Sequence, residues 1–160
     1  MTLSFSGTPA VAAPDVTLTS DDGFYPAIST QDFVTRHNIP PALFEVINDH
    51  LLGAMACAHV TLMAWRTNQV RSGYHTLAAV PAEKTGPQQQ PESVRVRWYR
   101  DAIYYLAMSS LLLVNQTLQQ RAEAEHTAQT SPETEQRYHH RAHEALARIM
   151  AQSTRGVHLI

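Results

Sequence analysis

From Phe44 to Trp65 apolar residues recur at intervals of three and four: Phe44, Ile47, Leu51, Ala54, Ala58, Leu62 and Trp65. An α-helix returns side chains to one face at that interval, so the run predicts a long helix with one buried stripe. Pro40 and Pro41 suit its first turn, where a missing N–H costs nothing, and Gly73 suits its stop. Some thirty residues of helix would span about 45 Å. That is far beyond the usual ~11–12 residues and points to an elongated bundle or a subunit of a larger assembly.

Two more long helices follow. Glu92 is the expected start of the second, with a stripe through Val94, Trp98, Ala102, Tyr105, Ser109 and Leu112, widened by Leu106 and Leu113. Ser131-Pro132-Glu133 is a start signal for the third, which carries Tyr138, Ala142, Ala145, Leu146 and Ile149 and is expected to end near Ser153. Shorter pieces fill the gaps. Thr30 is the expected cap of a short helix through Phe33 and Val34 to Asn38, preceded by a loop anchored by Phe24, Tyr25 and Ile28. Thr76 to Pro81 reads as a single helical turn closed by proline, and residues 82–91 as a polar loop. The expected fold is all-α: an elongated bundle of three long helices plus one or two short ones. Its expected divisions are a flexible N-terminal arm (1–22), a helical adaptor domain (23–153) and an extended C-terminal docking tail (154–160).

A chain of 160 residues suits a single domain. Its formal charge of −2 gives no global argument for nucleic-acid binding. The most apolar run, Ile103 to Val114, contains two serines and is too short for a spanning helix of ~20 residues. No charged stretch precedes the apolar residues near Met1, as a signal peptide requires. A single cysteine, Cys57, excludes an internal disulfide framework and a Cys-based zinc site; set between alanines, it is expected to be a small buried hydrophobe. GxSxG, P-loop and Rossmann signatures do not occur, and Asp32, Glu45, Asp49 and Asp101 are scattered, so no enzyme and no cofactor are expected.

Nine histidines raise a metal question. His139 and His143 lie one helical turn apart, with His140 and Glu144 nearby, but HHRAHE is not HExxH, and a polar helix face is the simpler reading. A His-dependent helical metal-binding protein therefore stands as an alternative, without an assigned metal ligand. His50 and His59, nine apart, fall on opposite sides of their helix and cannot meet. Arg95, Arg97 and Arg100 crowd the first turns of the second long helix, where the macrodipole disfavours cations. They are candidate channel or partner contacts, and a helical DNA-binding module is the further alternative. In the tail, Arg155, Val157, Leu159 and Ile160 alternate polar and apolar with no local core in view; the segment either docks on a neighbour or folds back.

Four stretches in this order resemble the head completion protein (GpL) family of temperate contractile-tailed phages. They are DDGFYPAIS followed by QDF (residues 21–33), AWRTNQVRSGYHTLAAVPA (64–82), WYRDAIYYLAMSSL (98–111) and RGVHLI (155–160). The second is the most specific, fixing Trp65, Arg66, Gln69, Gly73, Tyr74 and Pro81 in sequence. The Gln/Ala/Glu-rich stretch 115–130 and the absence of a tryptophan near His143 depart from the family pattern. The resemblance implies a structural adaptor without catalysis or cofactor. Such a subunit would act in the virion, forming a ring, dodecameric by family expectation, beneath the portal protein. Tail or tail-terminator components would be its other partners, DNA would pass through the channel without specific binding, and no membrane would be involved. Arg155, Val157, Leu159 and Ile160 would then be the residues that meet the portal or a neighbouring subunit.

Overall fold

The computed structural model describes residues 12–87, 91–122 and 132–151. Among them are four α-helices, α1 (Thr30–His37), α2 (Ile47–Arg71), α3 (Val94–Ala122) and α4 (Pro132–Ala151). Two small antiparallel strand pairs accompany them: β1 (Thr17–Leu18) with β2 (Ile28–Ser29), and β3 (Lys84–Thr85) with β4 (Glu92–Ser93). The chain is thus mostly helical, broadly as the all-α expectation has it, with two small strand pairs added.

The helices run up, down and up. His50 of α2 meets Ser110 of α3 and His59 meets Tyr99, so numbers rise on one helix as they fall on the other. Arg95 of α3 reaches Ile149 of α4, while Tyr105 packs on Tyr138, giving the same antiparallel sense. The stripe read along α2 is its buried face: Ile47, Leu51, Ala54, Ala58, Leu62 and Trp65 all lie in the core. In α4 the buried line is Ala142, Ala145, Leu146 and Ile149, as the spacing predicts. The stripe expected on α3 is too narrow. Trp98, Tyr105 and Leu112 are only half-buried, whereas Tyr99, Ile103, Ala107 and Leu111 are inside. A helix held between two others is buried on more than one side, so a single-stripe reading understates it.

Local chemistry moves several boundaries. The first long helix does not begin at the prolines. Pro41–Leu43 is a single 3₁₀ turn, and i to i+3 bonding persists to the Val46 amide on Leu43 O (3.2 Å). The α pattern starts with the His50 amide on Val46 O. Helix α1 is capped by Ser29, whose hydroxyl accepts from the Asp32 amide, rather than by Thr30. The buried Thr30 hydroxyl instead donates to Pro14 O (2.8 Å) and accepts from the Val16 amide (2.8 Å). Asn38 closes α1 in the left-handed region (φ 49°), which Asn tolerates. The arm expected over 1–22 is therefore tied down along its second half by these bonds and by β1. Residues 82–91 hold one strand of a hairpin rather than a plain loop, and Glu92 sits in the other, so α3 begins two residues later than expected.

Both histidines of α2 reach α3, one on each flank of the buried stripe. Burial lowers the affinity of His37, His50 and His59 for a proton; Asp32, Asp49 and Asp22 respectively oppose this without cancelling it. Below the ordinary value of 6.5 the unfolded chain takes up protons that the folded chain refuses, so stability falls as pH drops through that value. The urea midpoint is expected to decrease from about pH 7 to about pH 5, and His59→Gln to flatten that slope; a midpoint constant over this range would remove the coupling. Leu62→Ala is expected to cost about 2–5 kcal/mol in the same assay, because it empties a fully buried position.

Candidate assembly interface

The motif residues converge on one clasp. In the loop between β1 and β2, Asp22 Oδ1 accepts from the Phe24 amide (2.9 Å) and the Ser20 hydroxyl (3.1 Å), while Oδ2 pairs with Arg66 of α2 (2.9 Å). Gly23 turns the chain at φ 65°, a region that suits glycine. Burial pushes the Asp22 carboxyl up, but the Phe24 amide, the Ser20 hydroxyl and the Arg66 guanidinium together bring it below the usual range. The Arg66 guanidinium also lies over the Phe24 ring (5.5 Å), and Phe24 O accepts from the Leu77 amide (2.8 Å).

Tyr25 stacks over both His59 (4.2 Å) and Tyr99 (4.8 Å), which lie side by side with His59 Nε2 hydrogen-bonded to Tyr99 Oη (2.7 Å). Further along, Tyr104 donates to Asp32 Oδ2 (2.9 Å), joining α3 to α1. Burial pushes the Tyr25 hydroxyl up to about 12 and the Tyr99 hydroxyl higher still. Both phenols stay protonated and His59 stays neutral near pH 7, so the stack works as a join rather than a proton source. The Asp22–Arg66 pair has no local sequence signal, because its partners are far apart in the chain; the aromatics around Gly23 and Pro26 were the visible part.

The three candidate arginines at the start of α3 separate. Arg95 is 1% exposed, donates to Ile149 O (2.7 Å) and lies over the Trp65 ring (5.5 Å). It is thus inside the fold, not on the surface as a channel or partner contact requires. Its hydrogen bond answers one of the carbonyls that a helix end leaves without a partner. This also explains a cation near the start of α3: Arg95 serves the negative end of α4. Arg100 grips Glu92 with both terminal nitrogens (2.6 and 3.2 Å). Arg97 alone is exposed, lining an open groove of ≈ 540 Å³ with Lys84 and Glu92 beside the β3–β4 hairpin. Arg155, Val157, Leu159 and Ile160 lie outside the described residues.

His139 and His143 are neighbours on the exposed side of α4, with ring centroids 4.5 Å apart, and His140 lies 3.9 Å from Glu144. Among the described residues no group of three His, Cys, Asp or Glu side chains is placed to hold a metal ion. Cys57 is exposed, contrary to the buried position expected, because it lies on the flank of the buried stripe, one residue from Ala58. No described helix is long and apolar enough to cross a membrane.

The family model for the phage head completion protein (GPL) matches residues 19–160. No curated protein and no solved structure matches the chain. The matched range takes in the whole Asp22–Arg66–Tyr25–Tyr99 clasp and all four helices. The chain belongs to the phage head completion protein family, and its role is a structural one in head assembly.

Proposed function

We propose that this chain is a head–tail connector subunit, which binds the portal of the DNA-filled head and closes into an adaptor ring for tail attachment. The observation that carries the reading is the family match over residues 19–160. The fold is consistent with it. A rigid three-helix body gives a ring wall, and the Arg95–Ile149 bond fixes the point from which the residues after Ala151 depart. Arg155, Val157, Leu159 and Ile160 are the docking residues, seated on the portal or on a neighbouring subunit. Of the three candidate arginines at the start of α3, Arg97 is the one exposed to a channel or partner, since Arg95 is buried and Arg100 is paired with Glu92.

A ring that passes DNA without holding it is served by few unpaired cations, because each phosphate contact adds salt-dependent affinity. The dispersal of the three arginines therefore also weighs against a helical DNA-binding module. The metal-binding reading has a pair of neighbouring imidazoles in its favour and no third ligand among the described residues.

Removing residues 155–160 is expected to leave the helical circular dichroism and urea midpoint unchanged. The same deletion is expected to abolish both binding to portal-bearing, DNA-filled heads and head completion. A truncated chain that still completed heads would defeat the tail-docking role.

A further inference from the structure

Helix α2 has a second apolar side. Opposite its buried stripe, Leu52 (47% exposed), Val60 (71%) and Met63 (59%) stand in solvent, with Gly53, Ala56, Cys57 and Ala64 exposed among them. No Asp, Glu, Lys or Arg occurs between Asp49 and Arg66. The two histidines of that stretch, His50 and His59, are turned inward to Ser110 and Tyr99. By contrast the exposed side of α4 carries Arg137, Arg141, Glu144 and Arg148. Proteins normally place charge on a solvated helix face, so a bare one of this length marks a surface that meets something apolar.

The charges at its two ends say what. Asp49 and Arg71 are exposed, lie on the same side as Leu52, Ala56 and Val60, and join no ion pair among the described residues. They are twenty-two residues apart in the sequence, about 33 Å along the axis, and Val60 is midway between them. We propose that two copies of this chain pair through this face, with their α2 helices antiparallel about a two-fold axis at Val60. In that arrangement Asp49 of each copy faces Arg71 of the other, Ala56 faces Ala64, and Val60 packs on its own counterpart. A parallel pairing would instead set Asp49 on Asp49 and Arg71 on Arg71. Leu52, Ala56, Val60, Met63 and Thr67 form a seam spaced by fours and a three, which suits a shallow crossing. The alanines beside Val60 let the two backbones approach.

A strip one helix wide and about 33 Å long gives less than the ~800 Å² per partner of a stable complex, so the pair is reversible. It also closes on itself, because an isologous contact uses the same patch on both copies. The pair shields the apolar strip from solvent and cannot by itself grow into a ring. This goes beyond the connector reading and stands or falls separately from it.

Sedimentation velocity of the full chain from about 1 to about 200 μM at low salt is the direct test. The average mass is expected to rise from monomer towards dimer. Val60→Glu is expected to weaken the pair at least about tenfold by placing two carboxylates on the axis, with the urea midpoint unchanged because Val60 is exposed. Asp49→Arg is expected to weaken it as well, and adding Arg71→Asp to restore it, since the swapped ends match again. In a Cys57→Ser background, Val60→Cys is expected to oxidise to a covalent dimer. A chain that stays monomeric throughout, a double charge swap that does not rescue, or larger rings with no Val60→Cys cross-link would each overturn the two-fold pairing.

Discussion

Helix α3 lies between α2 and α4 and under the β1–β2 loop, so nearly every polar side chain along it must be answered by whatever is laid against it. An unmet polar group in such a position costs about 1–3 kcal/mol, a large share of the stability of a small domain. The answers fix the architecture. Ser110 and Tyr99 take His50 and His59 and so set the register of α2. Tyr104 takes Asp32 and sets α1. Arg95 takes the Ile149 carbonyl and sets the end of α4. The apolar stripes supply most of the driving force but would tolerate sliding by a turn. The polar contacts are what make one alignment better than its neighbours.

Much of this was legible wherever one helix face decides the outcome. The stripes of α2 and α4, a helical turn within Thr76–Pro81 and the stop before Gly73 follow from periodicity and capping, and the structure keeps them, the turn at Leu77–Ala79. The misreadings cluster where the deciding partner is distant. Thr30 looks like a cap by its neighbours, yet Pro14 and Val16 claim its hydroxyl and leave the cap to Ser29. Arg95 looks like a misplaced surface cation beside Arg97 and Arg100, until Ile149 and Trp65 come to lie against it. Cys57 sits one residue from the buried stripe, and one residue is about 100° around a helix, enough to move it from core to solvent. The strand pairs of two residues each are too short to leave a period in the sequence.

Of the residues that carry the family likeness, Asp22, Phe24, Tyr25, Trp65, Arg66 and Tyr99 touch one another, and Tyr104 meets Asp32. That part of the likeness is, in physical terms, a likeness of scaffold. Partner choice has to reside in what the clasp leaves outside: the outward side of α2, the basic side of α4, the groove beside Arg97 and the residues after Ala151.

Those outer surfaces differ in a way that bears on assembly. A body built from copies of one chain repeats each of its charges at fixed spacing, so a charged lateral face meets its own kind unless opposite charges are placed to meet. Exposed ion pairs contribute little in water, about 0–1 kcal/mol, whereas trapping an unpaired charge in a contact costs several times more. The cheapest surface on which copies can meet is therefore one bare of charge, with any charges confined to its ends and opposite in sign. Among the described helices α2 has that pattern on its outward side, while α4 carries three arginines and three histidines on its own. On the pairing proposed above, copies meet on α2, and the exposed side of α4, which carries Arg137, Arg141 and Arg148 with Glu144, is left to water.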